Sequence, residues 1–307
     1  MNAIAPKNVV NLYSFTNISI LAGFSDYTEG IYNGNPSTPY EVAQKNQHNY
    51  LLNEIGDGQG FKLLDVGCGL GTFLETAKER GVIGTGITIS DDQVSMCQKK
   101  GLDVWLFNYR HLLPGWHGRF DGIIANGSIE HFCQSEQALA GLQDEVYKEM
   151  FQIFHWLLNP NSKRKRVATT TIHFADKQLN PRMFLRNPFL QLLRKEGFHF
   201  SILHRGYGGY YPEQGQLERC AKGLFKLVKE IDGTEDYRLT SEYWCKALKN
   251  ALWYNKEFRR RLFYSFLKKP AHTFWVVLSM IGPEAWPWQF RGKNPPTRLY
   301  RQTWQMI

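Results

Sequence analysis

The stretch Phe61-Lys-Leu-Leu-Asp-Val-Gly-Cys-Gly-Leu-Gly-Thr72 constrains this chain more than any other. A short apolar run ends in an acid, Asp65, and passes through three glycines into sequence of helical character. Gly67, Gly69 and Gly71 permit a tight turn and let a ligand approach bare backbone. A helix opening near Gly71 points its free N–H groups at that ligand. The spacing is G-x-G-x-G. It lacks the late glycine of dinucleotide sites and the Lys-Ser/Thr of a P-loop, so no diphosphate needs cradling.

Around this turn, apolar runs alternate with helical patterns. Strands are expected at 62–66, 82–90, 102–107, 120–126 and 167–174, and helices at 38–55, 72–80, 91–100 and 136–158. Such alternation means a parallel sheet with helices on both faces. Beyond Phe174 the rhythm changes. A helix is expected at 180–197, a strand at 198–203, a glycine-aromatic loop at Tyr207–Pro212, and helices at 214–229 and 240–268. A final strand runs from Arg298 to Trp304. The organisation expected is an N-terminal segment and lid helix over 1–55, a ligand-binding core over 56–175, an aromatic-rich helical cap over 176–290, and a strand over 291–307 returning to the core sheet.

Hydrophobic residues make up 43% of 307, enough for a full core. The net charge of +9 suits nucleic acid, anionic lipid or phosphorylated substrates, or an ordinary solvated surface. The basic runs Lys163–Arg166 and Arg259–Arg261 come without an RNA-binding signature, so no nucleic-acid partner is expected. Five cysteines without C-x-x-C spacing suggest a reducing compartment, with neither a disulfide framework nor a metal site. Met1–Gly23 lacks the pattern of a signal peptide. The late apolar stretch Leu262–Gly282 is broken by Lys268-Lys269-Pro270, which leaves less than the roughly 20 residues of a membrane span. A cytoplasmic location is expected, with peripheral membrane contact left open. Oligomeric state is not legible.

The chemistry-bearing residues fall at strand ends. An acid two residues before the first glycine, here Asp65, is the form seen in S-adenosylmethionine (SAM) methyltransferases. Thr88 and Gln93 stand where an acidic ribose anchor is usual, and both can hydrogen-bond a ribose or the methionine part of SAM. The same stretch also reads as a capped helix start. Tyr109, just past the third strand, is either an adenine-stacking ring or a surface tyrosine. Gly127 permits close ligand approach. Glu130-His131 puts a carboxylate and an imidazole at the active end of the fourth strand, where His can act as general base or orient one.

Together these segments resemble the cyclopropane-fatty-acid synthase and mycolic acid cyclopropane synthase family. The resemblance lies in Phe24-Ser25 with Ala43-Gln44, Leu64–Gly71, Gly86–Gln93 with Tyr109-Arg110, and Gly127–Phe132, and more weakly in Tyr211-Pro212 and Asp236-Tyr237. It implies an α/β, Rossmann-like class I SAM methyltransferase sheet with an aromatic-rich α-helical cap. SAM would lie over Gly67, Gly69, Gly71, Thr88, Gln93 and Tyr109, with Ser25 closing above. In the family a bicarbonate takes a proton from a methylated carbocation; His131 matches a histidine that helps hold it, and Tyr237 a tyrosine. Asp26 stands where the family has cysteine, Leu70 where it has Trp, and Ile129 where it has Phe. The activity implied is C-methylation of an alkene in a lipid, fatty acyl or isoprenoid substrate. An N- or O-methyltransferase of a specialised small metabolite is the alternative, followed by a SAM- or nucleic-acid-binding protein.

Overall fold

The computed structural model describes Val9, Asn11 and residues 18–176, 178–282 and 286–307. The absence of a leader read over Met1–Gly23 falls mostly outside them. Seven strands form one sheet: β1 (Lys62–Val66), β2 (Ile83–Thr88), β3 (Asp103–Leu106), β4 (Gly122–Asn126), β5 (Arg166–Phe174), β6 (Phe225–Asp232) and β7 (Thr297–Met306). Their order is β3-β2-β1-β4-β5-β7-β6. The first five are parallel, and β7 runs antiparallel between β5 and β6. Strand order reverses at the β1/β4 pair, which opens a crevice at the carboxyl ends of the strands.

Every residue of β4 is buried, and all of β5 after Arg166, because both sheet faces are covered. Helices α1 (Tyr40–Ile55), α2 (Thr72–Glu79) and α3 (Asp91–Lys99) cover one face through Leu51, Leu52, Ile55, Phe73, Leu74 and Cys97. Beyond the short α4 (Ser135–Leu139), α5 (Gln143–Leu157) covers the other face. Its Tyr147, Met150, Phe151 and Phe154 pack with Ile123, Val167 and Trp304. A third cluster lies over the strand ends and joins Phe174, Phe184, Phe200, Tyr210, Tyr211 and Trp244. It is built from α6 (Pro181–Leu185), α7 (Lys195–Tyr207), α9 (Thr234–Tyr254), α10 (Lys256–Lys268) and α11 (Pro270–Ile281), while the intervening α8 (Gln216–Ala221) packs on α5 through Leu217, Cys220 and Ala221.

The core strands and the helices before them lie where periodicity puts them; the helix at 136–158 and the second half depart from it. The strand expected at Phe198–Leu203 is the middle of α7, buried on nearly every side, which removes the polar face that marks an amphipathic helix. The helix expected at 214–229 is α8 followed by β6. The Lys and Glu of β6 favour helix in isolation, but pairing with β7 draws the segment into the sheet edge. The helix at 136–158 is two helices, α4 and α5, parted at Gly141 with φ of +77°. The helix at 240–268 starts earlier, at Thr234, and breaks at Asn255, whose side chain caps α10. The helix at 180–197 is reduced to α6 and a 3-10 turn, Pro188–Gln191.

One buried ion group ties the N-terminal segment, the cap and the sheet together. Arg301 of β7 donates to Glu29 at 3.1 Å and to Asp236 of α9, while the backbone N–H of Tyr32 donates to Asp236 at 3.0 Å. Arg301 and Glu29 are almost fully enclosed, so removing either would strand a charge in the interior.

Candidate active site

The carboxyl ends of β1, β2 and β4, the N-terminal segment and the cap enclose two adjoining cavities. Counting the open solvent at their mouths, the first spans about 1180 Å³ of space free of protein atoms and the second about 1050 Å³. Ser25, Asp65, Gly67, Gly69, Gln93, Gly127, Glu130, His131 and Tyr237 all line the first. Thr88 and Tyr109 line the second, together with Gly67, Gln93 and His131, which face both. Gly71 lines neither. It caps α2 in a left-handed conformation, and a Cβ there would lie 2.6 Å from Leu102 Cδ1, so its glycine serves turn and packing.

The glycine turn has the form its sequence demands. Gly67 and Gly69 have φ of +88° and +54°. A Cβ at Gly67 would strike Ser128 Cβ at 2.6 Å, whereas one at Gly69 would meet no protein atom within 4 Å. Gly69 therefore opens onto ligand space. Asp65 is fully buried below the turn, and burial with the nearby Asp26 carboxylate pushes it up to about 7. At β2 the Thr88 hydroxyl donates to Gln93 Oε1 at 2.6 Å, and Ser90 caps α3 by accepting from the Gln93 N–H. The capped helix start and the cavity wall are thus the same residues. The Tyr109 ring is stacked on Phe132 at 4.1 Å, so one face of it is already covered.

Glu130-His131 sits in a single 3-10 turn after β4. Glu130 Oε1 accepts the Ile172 N–H at 2.8 Å, while Oε2 is buried with no hydrogen-bond partner. Burial pushes this carboxyl up to about 7. The surrounding protein pushes His131 down to about 4, despite a backbone hydrogen bond with Tyr207, so its imidazole is neutral. Gly209, in the glycine-aromatic loop, presses on the same turn. A Cβ there would stand 2.1 Å from the Glu130 carbonyl oxygen. The cap thereby fixes the position of the two titratable groups.

Sequence reasoning did not assign several lining residues. Asp26 accepts from the Thr72 hydroxyl and faces His48 Nε2 at 3.8 Å. His48 also pairs with Thr76 Oγ1 at 3.0 Å through Nδ1. Asn126 exchanges hydrogen bonds with Gln47 at 2.8 and 3.2 Å and accepts from Thr170 at 2.6 Å, which fixes the floor beneath Gly127. The signal was present in α1: Gln44, Gln47 and His48 fall on the buried side with Leu51, polar residues on an apolar stripe.

The profile of the mycolic acid cyclopropane synthetase family matches residues 19–276. Cyclopropane mycolic acid synthase 1 of Mycobacterium tuberculosis is 27% identical over 218 residues, covering 68% of this chain and 69% of that one. Among solved structures, the cyclopropane synthase MmaA2 from Mycobacterium tuberculosis superposes with a TM-score of 0.72 at 19% identity, over 99% of this chain and 100% of that one. A geranyl diphosphate C-methyltransferase from Streptomyces coelicolor A3(2), in complex with geranyl diphosphate and S-adenosyl-L-homocysteine, does so with a TM-score of 0.60 at 13% identity, over 99% and 100%. With the glycine turn, the strand order and the family profile in agreement, the chain belongs to the mycolic acid cyclopropane synthetase family of SAM-dependent methyltransferases.

Proposed function

We propose that this enzyme transfers the methyl group of SAM to a carbon of an unsaturated lipid-like acceptor, a fatty acyl chain or an isoprenoid. The wall of the first cavity carries this reading. Tyr207, Tyr211, Tyr237, Trp244 and Trp286 face the glycine turn, and no Lys or Arg lines the cavity among the described residues. Such a wall suits an apolar chain and excludes water. The mycolic acid and geranyl diphosphate in the names of the relatives are acceptors of this class. Residues 1–55 and 176–290 serve as lid and cap over the 56–175 core.

The residues present fit SAM. Asp65, Gly67, Gly69 and Ser25 would hold its amino acid end, and Thr88, Gln93 and Tyr109 its nucleoside end. Bound there, SAM supplies an electrophilic methyl on a sulfonium. The cap aligns the acceptor double bond with that methyl, and orientation provides most of the rate. Once the methyl has passed from sulfur to carbon, the aromatic faces would steady the positive charge left on the acceptor by roughly 0.5–2 kcal/mol per good contact. Glu130, which lines the cavity and has its buried Oε2 without a hydrogen-bond partner, takes the proton that this cation loses. The neutral His131 beside it orients the acceptor.

A resident bicarbonate suits the site poorly. Among the described residues no guanidinium or ammonium lines the cavity, His131 is neutral, and the Asp26 carboxylate faces any anion placed there. The three carboxyls Asp26, Asp65 and Glu130 favour a second reading, methylation of a basic amine. Methyl-labelled SAM supplied with a lipid and isoprenoid extract separates the two. Label on carbon, with a mass gain of one CH2, supports the first reading. Label on nitrogen or oxygen replaces it.

A further inference from the structure

We infer that the outer surface formed by residues 188–193, α10 and α11 docks on an anionic lipid bilayer. This surface is independent of the acceptor reading above. Large apolar side chains stand out from it without cover. Leu190 and Leu193 are 84% and 101% exposed, and Phe263 and Leu267 of α10 are 64% and 63% exposed. The two segments meet at α11. Phe189 packs on Trp275 of α11 at 5.6 Å, Phe274 lies beside Trp275, and α10 packs against α11. Scattered exposed leucines need no explanation, but two groups of them meeting at one helix do.

Charge names the occupant. The chain has 37 Lys and Arg against 28 Asp and Glu. Residues 178–195 and 256–282 hold ten of these bases and a single acid, Glu257. The remaining side chains therefore cancel, and a surplus equal to the whole net charge of +9 is gathered around the apolar surface. Exposed Arg182, Arg186, Arg194, Arg259, Arg260 and Lys268 ring it. Apolar side chains among a surplus of cations match the acyl boundary and phosphate layer of an anionic leaflet. A second copy of this chain would bring the same positive charge against it and be repelled.

The surface also lies one helix away from the first cavity. Met280 of α11 lines that cavity, as do Cys245 and Leu248 of α9, while Phe274 of α11 points outward. Docking would thus bring the cap, rather than the nucleoside side, against the bilayer. Among the described residues no helix is long and apolar enough to cross a membrane, so the contact is peripheral.

Co-sedimentation of the whole chain with vesicles of phosphatidylglycerol and phosphatidylcholine, against vesicles of phosphatidylcholine alone, tests this. Expected are binding to the anionic vesicles only, weakening with added salt, and at least tenfold weaker partition for a Leu190→Asp, Leu193→Asp double variant. Arg260→Ser with Arg261→Ser should weaken it severalfold. Both variants lie on the outside, so melting temperature and SAM affinity stay unchanged, which separates failure of docking from failure of the methyltransferase site. Absence of binding to anionic vesicles, equal binding to both vesicle types, or wild-type binding by the double aspartate variant overturns the inference. So does self-association in sedimentation velocity that the double variant abolishes, which would make the occupant a second copy.

Discussion

Glu130→Gln should make this enzyme slower and, above neutral pH, more stable. The carboxyl is buried, with one oxygen on the Ile172 N–H and the other without a partner, and is moved from 4.5 to about 7. Its charged form in the fold therefore carries a penalty of about 3 kcal/mol. Below pH 4.5 the group is neutral whether folded or unfolded, and the penalty is absent. Between 4.5 and about 7 the unfolded chain loses its proton first, so stability falls as pH rises, and above 7 the loss is complete. Glutamine keeps the Ile172 bond through its Oε1 and never ionises. Its unpaired amide costs about 1–3 kcal/mol, but equally at both ends of the range. The informative quantity is thus how far the variant's advantage grows between pH 5 and pH 8, about 2–3 kcal/mol, or roughly 4 °C in melting temperature for 307 residues. The same change removes the proton acceptor and should slow single-turnover methyl transfer by about 10²–10⁴-fold. Wild-type rate should rise with pH through about 7, since the cations of bound SAM pull Asp65 down and leave Glu130 as the group that titrates. Scanning calorimetry at the two pH values and rapid-quench turnover provide the readings. A melting difference that does not change with pH would refute the unpartnered buried carboxylate. Turnover within a factor of ten of wild type would refute its role as base.

Gly69→Val should lower SAM affinity by at least tenfold in titration calorimetry while costing only about 1–2 kcal/mol of stability, because its left-handed backbone is strained but its side chain meets open space. Gly209→Ala should do the opposite. Its Cβ would collide with backbone at Glu130, and denaturant melts should show a loss above about 2 kcal/mol. Arg301→Met strands Glu29 in the interior and should cost about 3–5 kcal/mol by the same assay. Tyr237→Phe should keep turnover within about threefold and Tyr237→Leu should lose about tenfold, as the loss of an aromatic face beside a cation dictates. Equal, large losses in both would assign the hydroxyl a chemical role instead.

The parallel half of the fold was legible because its strands alternate with helices and its turns are backbone-limited. Only glycine tolerates the approach of Ser128 to residue 67. Thr88 and Gln93 were legible for a similar reason, since a helix cap and a strand end fix their places before any ligand does. The antiparallel edge was half visible. β7 alternates enough to be read as a strand, whereas β6 carries helix-favouring Lys and Glu on a mostly exposed edge, and only β7 decides its state. In α7 the opposite happened. Burial on nearly every side erased the amphipathic stripe, and Phe198–Leu203 looked like a strand.

The same contrast explains why the methyl donor is easier to read than the acceptor. The donor side is shaped by φ angles and strand ends, which a few residues specify. The proposed acceptor side is shaped by rings from distant segments, such as the Trp244 of α9 that contacts Phe24 and Tyr27 of the N-terminal segment. Their joint position depends on Arg301 holding Glu29 and Asp236 together, and on Gly209 pressing the cap onto Glu130. Those constraints span 272 residues between Glu29 and Arg301, and no local pattern records them. On the proposed acceptor reading, a change of acceptor in this chain needs no change in the glycine turn. It needs a different set of rings held by the same few anchors, and it is the anchors, more than the rings, that a substitution series should leave untouched.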